Sequence, residues 1–278
     1  MAARYTLEPT LRDIYVEGLS DATIVKEALR VAGCRNAIVY VIDTVDVPPA
    51  ILAARKLSDG NKGRVIALCQ ELEARGIVGN EATGIMDRDC DGVLGIVHAS
   101  RMLLTTDYAC MEMYFFDDIQ LGRFCERFLH REAGLAGRLL ALLRGPLVEV
   151  FFIRATNEAM ALGLTWLATD RQVTVAKGAL EFQPDIFIDR YLNSNSMLGE
   201  KAAFLAKRNQ LRSKMDADPR HNIHGHDFVD LLSKCLQKEG IEKALADPLV
   251  IERSLPAGAD FASLSAQPMF QALIARVR

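Results

Sequence analysis

Short apolar runs alternate with amphipathic stretches over the first hundred residues. Ile14-Tyr15-Val16 is β-prone and predicts a strand. Ile24, Val25, Ala28 and Leu29 follow at helical spacing; Ser20 or Asp21 is the expected cap, and Gly33 is the expected stop after Ala32. Residues 37–42 are continuously apolar, the pattern of a strand covered on both faces, and Asp43 stands at their end. Residues 44–60 hold Pro48-Pro49 and Asp59-Gly60 and read as a connection with a short helix near 51–56. Asn61 is the expected cap of a helix over 62–74, with Val65, Ile66, Leu68, Cys69 and Leu72 inward and Gly76 closing it. Strands over 82–86 and 102–106 complete a strand, helix, strand, helix, strand, strand order. That order points to a small parallel α/β sheet.

After Asp107 the period becomes helical. A long helix is expected over 110–131, with Met113, Phe116, Ile119, Phe124 and Phe128 on its spacings, and further helices over 135–143 and 148–167. A mixed stretch over 172–192 carries Phe182, Ile186 and Ile188. Helices over 199–215, 228–238 and 268–277 close the chain, and Asp227 is the expected cap of the second of these. The expected division is therefore an α/β part, 1–130, and a mostly helical part, 131–278, with no internal repeat.

Composition narrows the function classes. Half of the 278 residues are hydrophobic, a quarter are charged, and the net charge is −3, so any nucleic-acid contact must use a local basic patch. Cys34, Cys69, Cys90, Cys110, Cys125 and Cys235 are scattered with no Cys-x-x-Cys pair, which argues against a zinc knuckle or a disulfide framework and fits reduced thiols. The N-terminus lacks the basic-then-apolar pattern of a signal peptide, and no apolar run approaches the ~20 residues of a membrane span. A cytoplasmic protein with no membrane association is the expectation.

The candidate chemistry lies at two strand ends. The run ending in Val16 is followed by Glu17, and Gly84-Ile85-Met86 is followed by Asp87, Asp89 and Asp91. Carboxylates at alternate positions repel one another unless a cation neutralises them, and hard cations take oxygen ligands. The carboxyl ends of parallel strands share one edge of a sheet, so Glu17 and the aspartates are expected to converge there. The bland reading is an acidic, solvated turn. An EF-hand loop needs a glutamate at its twelfth position, where His98 stands, and a preceding helix rather than a strand. Asp89-Cys90-Asp91-Gly92-Val93 also looks like the nucleophile motif of haloacid-dehalogenase-type phosphatases, in which Asp89 alone is the nucleophile. That motif normally opens its domain, and here some eighty organised residues precede it.

Val16-Glu17-Gly18-x-x-Asp21, followed by a strand that ends in Asp87-x-Asp89, resembles the Toprim domain of topoisomerases, primases and OLD-family nucleases. The resemblance covers residues 12 to about 107 and implies a small parallel, Rossmann-like sheet followed by a mostly α-helical domain. It implies that Glu17 is the general acid/base and helps hold metal, that Asp87 and Asp89 bind Mg²⁺ (or Mn²⁺), and that Asp21 and Asp91 support them. Such a site cleaves phosphodiester bonds, because a cation on the phosphate oxygens and a proton-moving group are what that reaction needs. Asp91 adds an acid that the motif does not require. The topoisomerase tyrosine is not identifiable, which favours nuclease over strand-passage chemistry. Gly60-Asn61-Lys62, Thr106-Asp107-Tyr108 with Glu112, and Ile223-His224-Gly225-His226-Asp227 resemble one branch, a Toprim-like family of unknown function whose members sit beside ABC-type ATPases in bacterial anti-phage systems of the PARIS kind. The branch implies a toxic effector restrained by an ATPase partner, and a structured RNA such as transfer RNA suits such an effector. The sequence leaves RNA against DNA open, and a non-catalytic module docking on the ATPase stays open beside the nuclease.

Three further groups complete the candidates. Lys201, Lys207, Arg208, Arg212 and Lys214 lie on one expected helix, either a nucleic-acid-binding stripe or a solvated face. Glu112 is a possible additional metal ligand or a helix-surface acid. His221, His224 and His226 match no closed four-ligand zinc set and read as a structural or nucleic-acid-facing loop. Phe151, Phe152 and Leu162 are an apolar stripe suited to a homodimer, and Trp166 to the core or an oligomer contact.

Overall fold

The computed structural model describes residues 1–77, 80–176 and 178–278. In chain order its elements begin with α1 (Ala2–Leu7), β1 (Arg12–Val16), α2 (Leu19–Val31), β2 (Ala37–Val41), α3 (Pro49–Ala54), α4 (Asn61–Ala74), β3 (Ala82–Met86), the single turn α5 (Asp91–Leu94) and β4 (Leu103–Thr105). They continue with α6 (Asp118–Arg127), α7 (Gly134–Ala159), β5 (Val173–Ala176), β6 (Ala179–Phe182), α8 (Pro184–Ser194), α9 (Lys201–Arg212), α10 (Gly225–Lys238), α11 (Pro248–Ser254), α12 (Phe261–Ser265) and α13 (Pro268–Val277). The chain divides into two compact units. The first comprises 1–88, 97–107 and 260–278, and the second comprises 89–96 and 108–259. The boundary expected near residue 130 falls inside the second unit, which takes in residues 108–259, and the closing helices belong to the first.

The first unit is a four-stranded, all-parallel sheet in the order β2-β1-β3-β4. Side chains alternate across such a sheet. Tyr15, Ala82, Met86 and Leu103 join the core that contains Val65, Ile66, Cys69 and Leu72 of α4. Gly84 sits where α4 comes closest. A Cβ there would lie 2.5 Å from Cys69 Sγ and 2.8 Å from Val65 Cγ1, so only glycine lets helix and strand meet. Ile14 and Val16 point to the other face and are fully buried, as are Ile24, Val25 and Ala28 of α2. The closing helices are tied to this unit: Ser265 Oγ donates to the Ala28 carbonyl, Arg276 to the Leu103 carbonyl, and the Met269 N–H to Asp107. One expectation fails. Among the described residues β2 pairs only with β1 and is an edge strand, with Ile38 46% exposed, so its continuous apolar run does not mean cover on both faces.

The second unit is helical apart from the antiparallel hairpin β5–β6. Its longest helix, α7, runs straight through Pro146, where the sequence suggests a break between two helices. Leu143 and Leu147, flanking the proline, are both fully buried, and that burial outweighs the lost backbone hydrogen bond. The same helix stops at Ala159, eight residues short of its expected end; Ala161 (φ 49°) and Gly163 (φ 60°) turn the chain left-handed. The expected helix over 110–131 is broken. Residues Met111–Phe115 form a 3₁₀ turn, and Asp117 then caps α6 by accepting the N–H groups of Ile119 and Gln120. Ile119, assigned to the apolar face, is 65% exposed. The helix expected over 199–215 contracts to α9, and the one expected from Phe228 opens earlier, at Gly225. Phe151 and Phe152 are buried within this unit and present no dimer surface; Leu162 and Trp166 pack on a core of Phe187, Tyr191 and Phe204. Among the described residues, no helix is long and apolar enough to cross a membrane.

Candidate functional site

Glu17 and Asp87 each follow the last residue of a strand, and those strands, β1 and β3, are parallel neighbours in register Tyr15 to Gly84. The ladder brings the two residues together: Glu17 Oε1 accepts the Asp87 N–H at 2.8 Å across seventy positions of sequence. Around them the backbone is held by side chains of the same unit. Asn61 does not cap α4, whose cap is Gly60. Its amide instead donates to the Glu17 carbonyl at 2.8 Å. Lys62 Nζ donates to the Arg88 carbonyl at 3.3 Å, and the Arg88 N–H donates to Thr106 Oγ1 at 3.1 Å. Gly18, rather than Ser20 or Asp21, caps α2. Asp21 occupies the third helical position, and its carboxylate accepts the Gly18 N–H at 2.9 Å. A rigid frame thus orients one glutamate and one aspartate, with a second aspartate fixing the turn between β1 and α2. Lys62, in the first turn of α4, is a residue that the strand-end pattern leaves out of the site.

The division between the units falls between Arg88 and Asp89, so Asp89 and Asp91 belong to the second unit. Asp89 has a left-handed backbone (φ 47°), and its N–H donates to the Ala109 carbonyl at 2.6 Å. Asp91 is buried and opens α5. Glu112 lies in the 3₁₀ turn beside Gly225: a Cβ on that glycine would meet Glu112 Oε2 at 2.1 Å and Cys110 Sγ at 3.0 Å. Burial pushes the Glu112 carboxyl pKa up against the opposing hydrogen bonds of its own N–H and of Cys110, and against the charge of His226.

No family model matches the chain, and no curated protein matches it.

The histidine stretch forms the start of α10. Asp227 does not cap that helix but sits in its first turn, 1% exposed. Its oxygens take Arg154 Nε (2.5 Å) and Nη2 (3.0 Å) and the Thr169 hydroxyl (2.6 Å). Trp166 covers the Arg154 guanidinium at 3.8 Å from the ring centroid and donates its indole N–H to Thr169. His224 Nδ1 is buried without a hydrogen-bond partner among the described residues, 3.7 Å from Asp227 Oδ2, and its ring lies 5.5 Å from that of His226. Burial, and next the Arg154 charge, push the His224 imidazole down to about 4 against the opposing pull of Asp227 and Asp89. His221 packs instead against the Tyr108 ring.

The basic stripe of α9 is largely matched within its own unit. Lys201 pairs with Asp189 at 2.5 Å, Arg208 with Asp185 at 3.4 Å, and Arg212 with Glu149. Lys207 donates to Gln210, and Lys214 lies beyond the helix end in an exposed position. Three of the five expected phosphate contacts thus face carboxylates.

Among the described residues, no three His, Cys, Asp or Glu side chains stand in a metal-holding group. The donor chemistry of the Glu17–Asp87 pair nevertheless suits Mg²⁺ or Mn²⁺. Both groups are hard oxygen donors, and magnesium sites commonly use one or two carboxylates and leave the other positions to water and substrate phosphate.

Proposed function

We propose that this chain is a metal-dependent, Toprim-like endonuclease in which Glu17 moves the proton and Glu17 with Asp87 holds Mg²⁺. The supporting observation is the 2.8 Å contact of Glu17 Oε1 with the Asp87 N–H at the ends of two neighbouring parallel strands. When bound, the cation would neutralise charge on the phosphate being attacked. Glu17, held by that N–H through Oε1, is the group that would exchange a proton with water or with the leaving oxygen. Asn61 fixes the backbone at Glu17, and Asp21 fixes the turn that follows. Lys62, which donates to the carbonyl of Arg88, the residue after Asp87, would add a positive charge that favours a substrate phosphate. Asp89 is assigned as a further ligand by the motif resemblance alone, and Asp91, which the motif does not require, only as a supporting acid.

The wider reading has the same source: a toxic effector of an anti-phage system, acting on structured RNA or on DNA and restrained by an ABC-type ATPase. Incubating the chain with total cellular RNA and with plasmid DNA in Mg²⁺, followed by sequencing of the cut ends, identifies the substrate. Glu17→Gln preserves the shape of the side chain, and we expect it to lower cleavage at least ~100-fold while calorimetry still detects Mn²⁺ binding. Undiminished cleavage by this variant overturns the assignment. A beryllofluoride adduct on Asp89 with Glu17 dispensable indicates a phosphatase instead. Absence of metal binding in the unaltered chain favours a docking module.

A further inference from the structure

The second unit contains a cleft of about 290 Å³ that the proposed chemistry leaves unused. One wall is a stripe of α7, where Gly137, Leu140, Ala141 and Arg144 recur at helical spacings and so share a face. The opposite side is made by Asp218 and the turn Pro219–Asn222, with Asp118 at the start of α6.

Two guanidinium groups line the cleft. Arg220 is fixed: Asp218 takes its Nε (3.0 Å) and Nη2 (2.6 Å), and the group lies 3.9 Å over the Tyr108 ring. Burial works against its charge, but the Asp218 hydrogen bonds and charge outweigh it and raise the pKa above the ordinary arginine value. Its Nη1 has no acceptor among the described residues. Arg144 is exposed and has no carboxylate partner among the described residues, whereas Arg138, on the same helix, pairs with Glu132 and Glu239. Asp118 borders Gly137, with Oδ1 3.3 Å from where a Cβ would stand. Asp118 and Asp218 offset the two arginines, so the lining has no net charge and gives a bare anion little preference. A ligand with a phosphate at one end and hydrogen-bond donors at the other matches both signs, and a nucleotide unit has both. The volume is near the lower end of the ~300–1,000 Å³ typical of small-ligand sites.

Resting on the nuclease reading, we infer that this cleft holds a nucleotide unit, its phosphate on Arg144 and Arg220 and its hydroxyl or amino donors toward Asp118. It would supply substrate grip that the ion-paired α9 stripe lacks. The test is fluorescence anisotropy of a labelled oligoribonucleotide on the full chain, in EDTA so that nothing is cut. Arg144→Ala should weaken binding about tenfold and flatten the salt slope by about one. Gly137→Leu should weaken it by filling the space, without lowering Tm, because leucine favours a helix more than glycine does. Competition with adenosine monophosphate separates the sources: displacement assigns the cleft to free nucleotides, and no displacement assigns it to the polymer. If both variants bind the oligonucleotide as the unaltered chain does at several salt concentrations, while Glu17→Gln alone abolishes cleavage in Mg²⁺, the cleft assignment falls and the nuclease stands. If the unaltered chain binds no nucleic acid, both fall.

Discussion

Asp227, 1% exposed and paired with Arg154, sits beside His224, whose protonation is set first by burial and next by the Arg154 charge. The imidazole is neutral at pH 7, kept so by burial and by Arg154. In the unfolded chain a histidine titrates near 6.5, whereas in the folded chain this one titrates at about 4. Between those values the unfolded state takes up a proton that the native state does not, so stability present at pH 7 is lost as pH falls from about 6.5 toward 4 and levels off below. The gap corresponds to roughly 3 kcal/mol at most. Denaturant unfolding at pH 7 and pH 4.5 should show His224→Gln losing less stability over that interval than the unaltered chain. An identical loss would mean that other groups carry the pH dependence.

At the scale of single elements, α1 is small enough to be overlooked in the sequence, yet its two central side chains complete a buried polar cluster on β1. Asp13 is 1% exposed and accepts Arg4 Nη1 and the Tyr5 hydroxyl, both at 2.9 Å, and the Tyr5 and Tyr15 hydroxyls are 2.6 Å apart. Tyr5→Phe removes one partner from each of two buried groups, Asp13 and the Tyr15 hydroxyl. A loss of about 1–3 kcal/mol is expected, read as a lower urea midpoint with an unchanged slope. A midpoint equal to that of the unaltered chain would show that water takes over both bonds. The contrast between α7 and the 110–131 stretch has two causes. Burial of Leu143 and Leu147 carries a helix across Pro146, whereas the Asp117 cap starts a new helix where the apolar spacing runs on.

At the scale of the whole molecule, the first unit is assembled from three separate stretches of chain. α12 and α13 bond to Ala28, Asp107 and Leu103, and Leu264, Phe270, Leu273 and Ile274 are buried. Ending the chain after Ala259 should therefore destabilise the sheet, although every strand and both candidate carboxylates remain. We expect limited proteolysis of that truncation to cut within the first hundred residues under conditions in which the full chain resists. Equal resistance would show that the sheet folds without its closing helices.

Local pattern alone settled a good part of this protein. The spans 82–86 and 268–277 are those observed, the parallel α/β class follows from the element order, and the pairing of Glu17 with Asp87 follows because parallel strands share a carboxyl edge. These are short-range periodicities, or consequences of them. The tertiary structure decided the rest. It set the return of the closing helices, the edge position of β2, the partners of the α9 cations and the Arg154–Asp227 pair seventy-three positions apart. No periodicity records these, because a charge found at helical spacing reads the same whether it meets solvent, a phosphate or a carboxylate of its own unit. Only folding brings the distant partner within the few ångströms at which it matters.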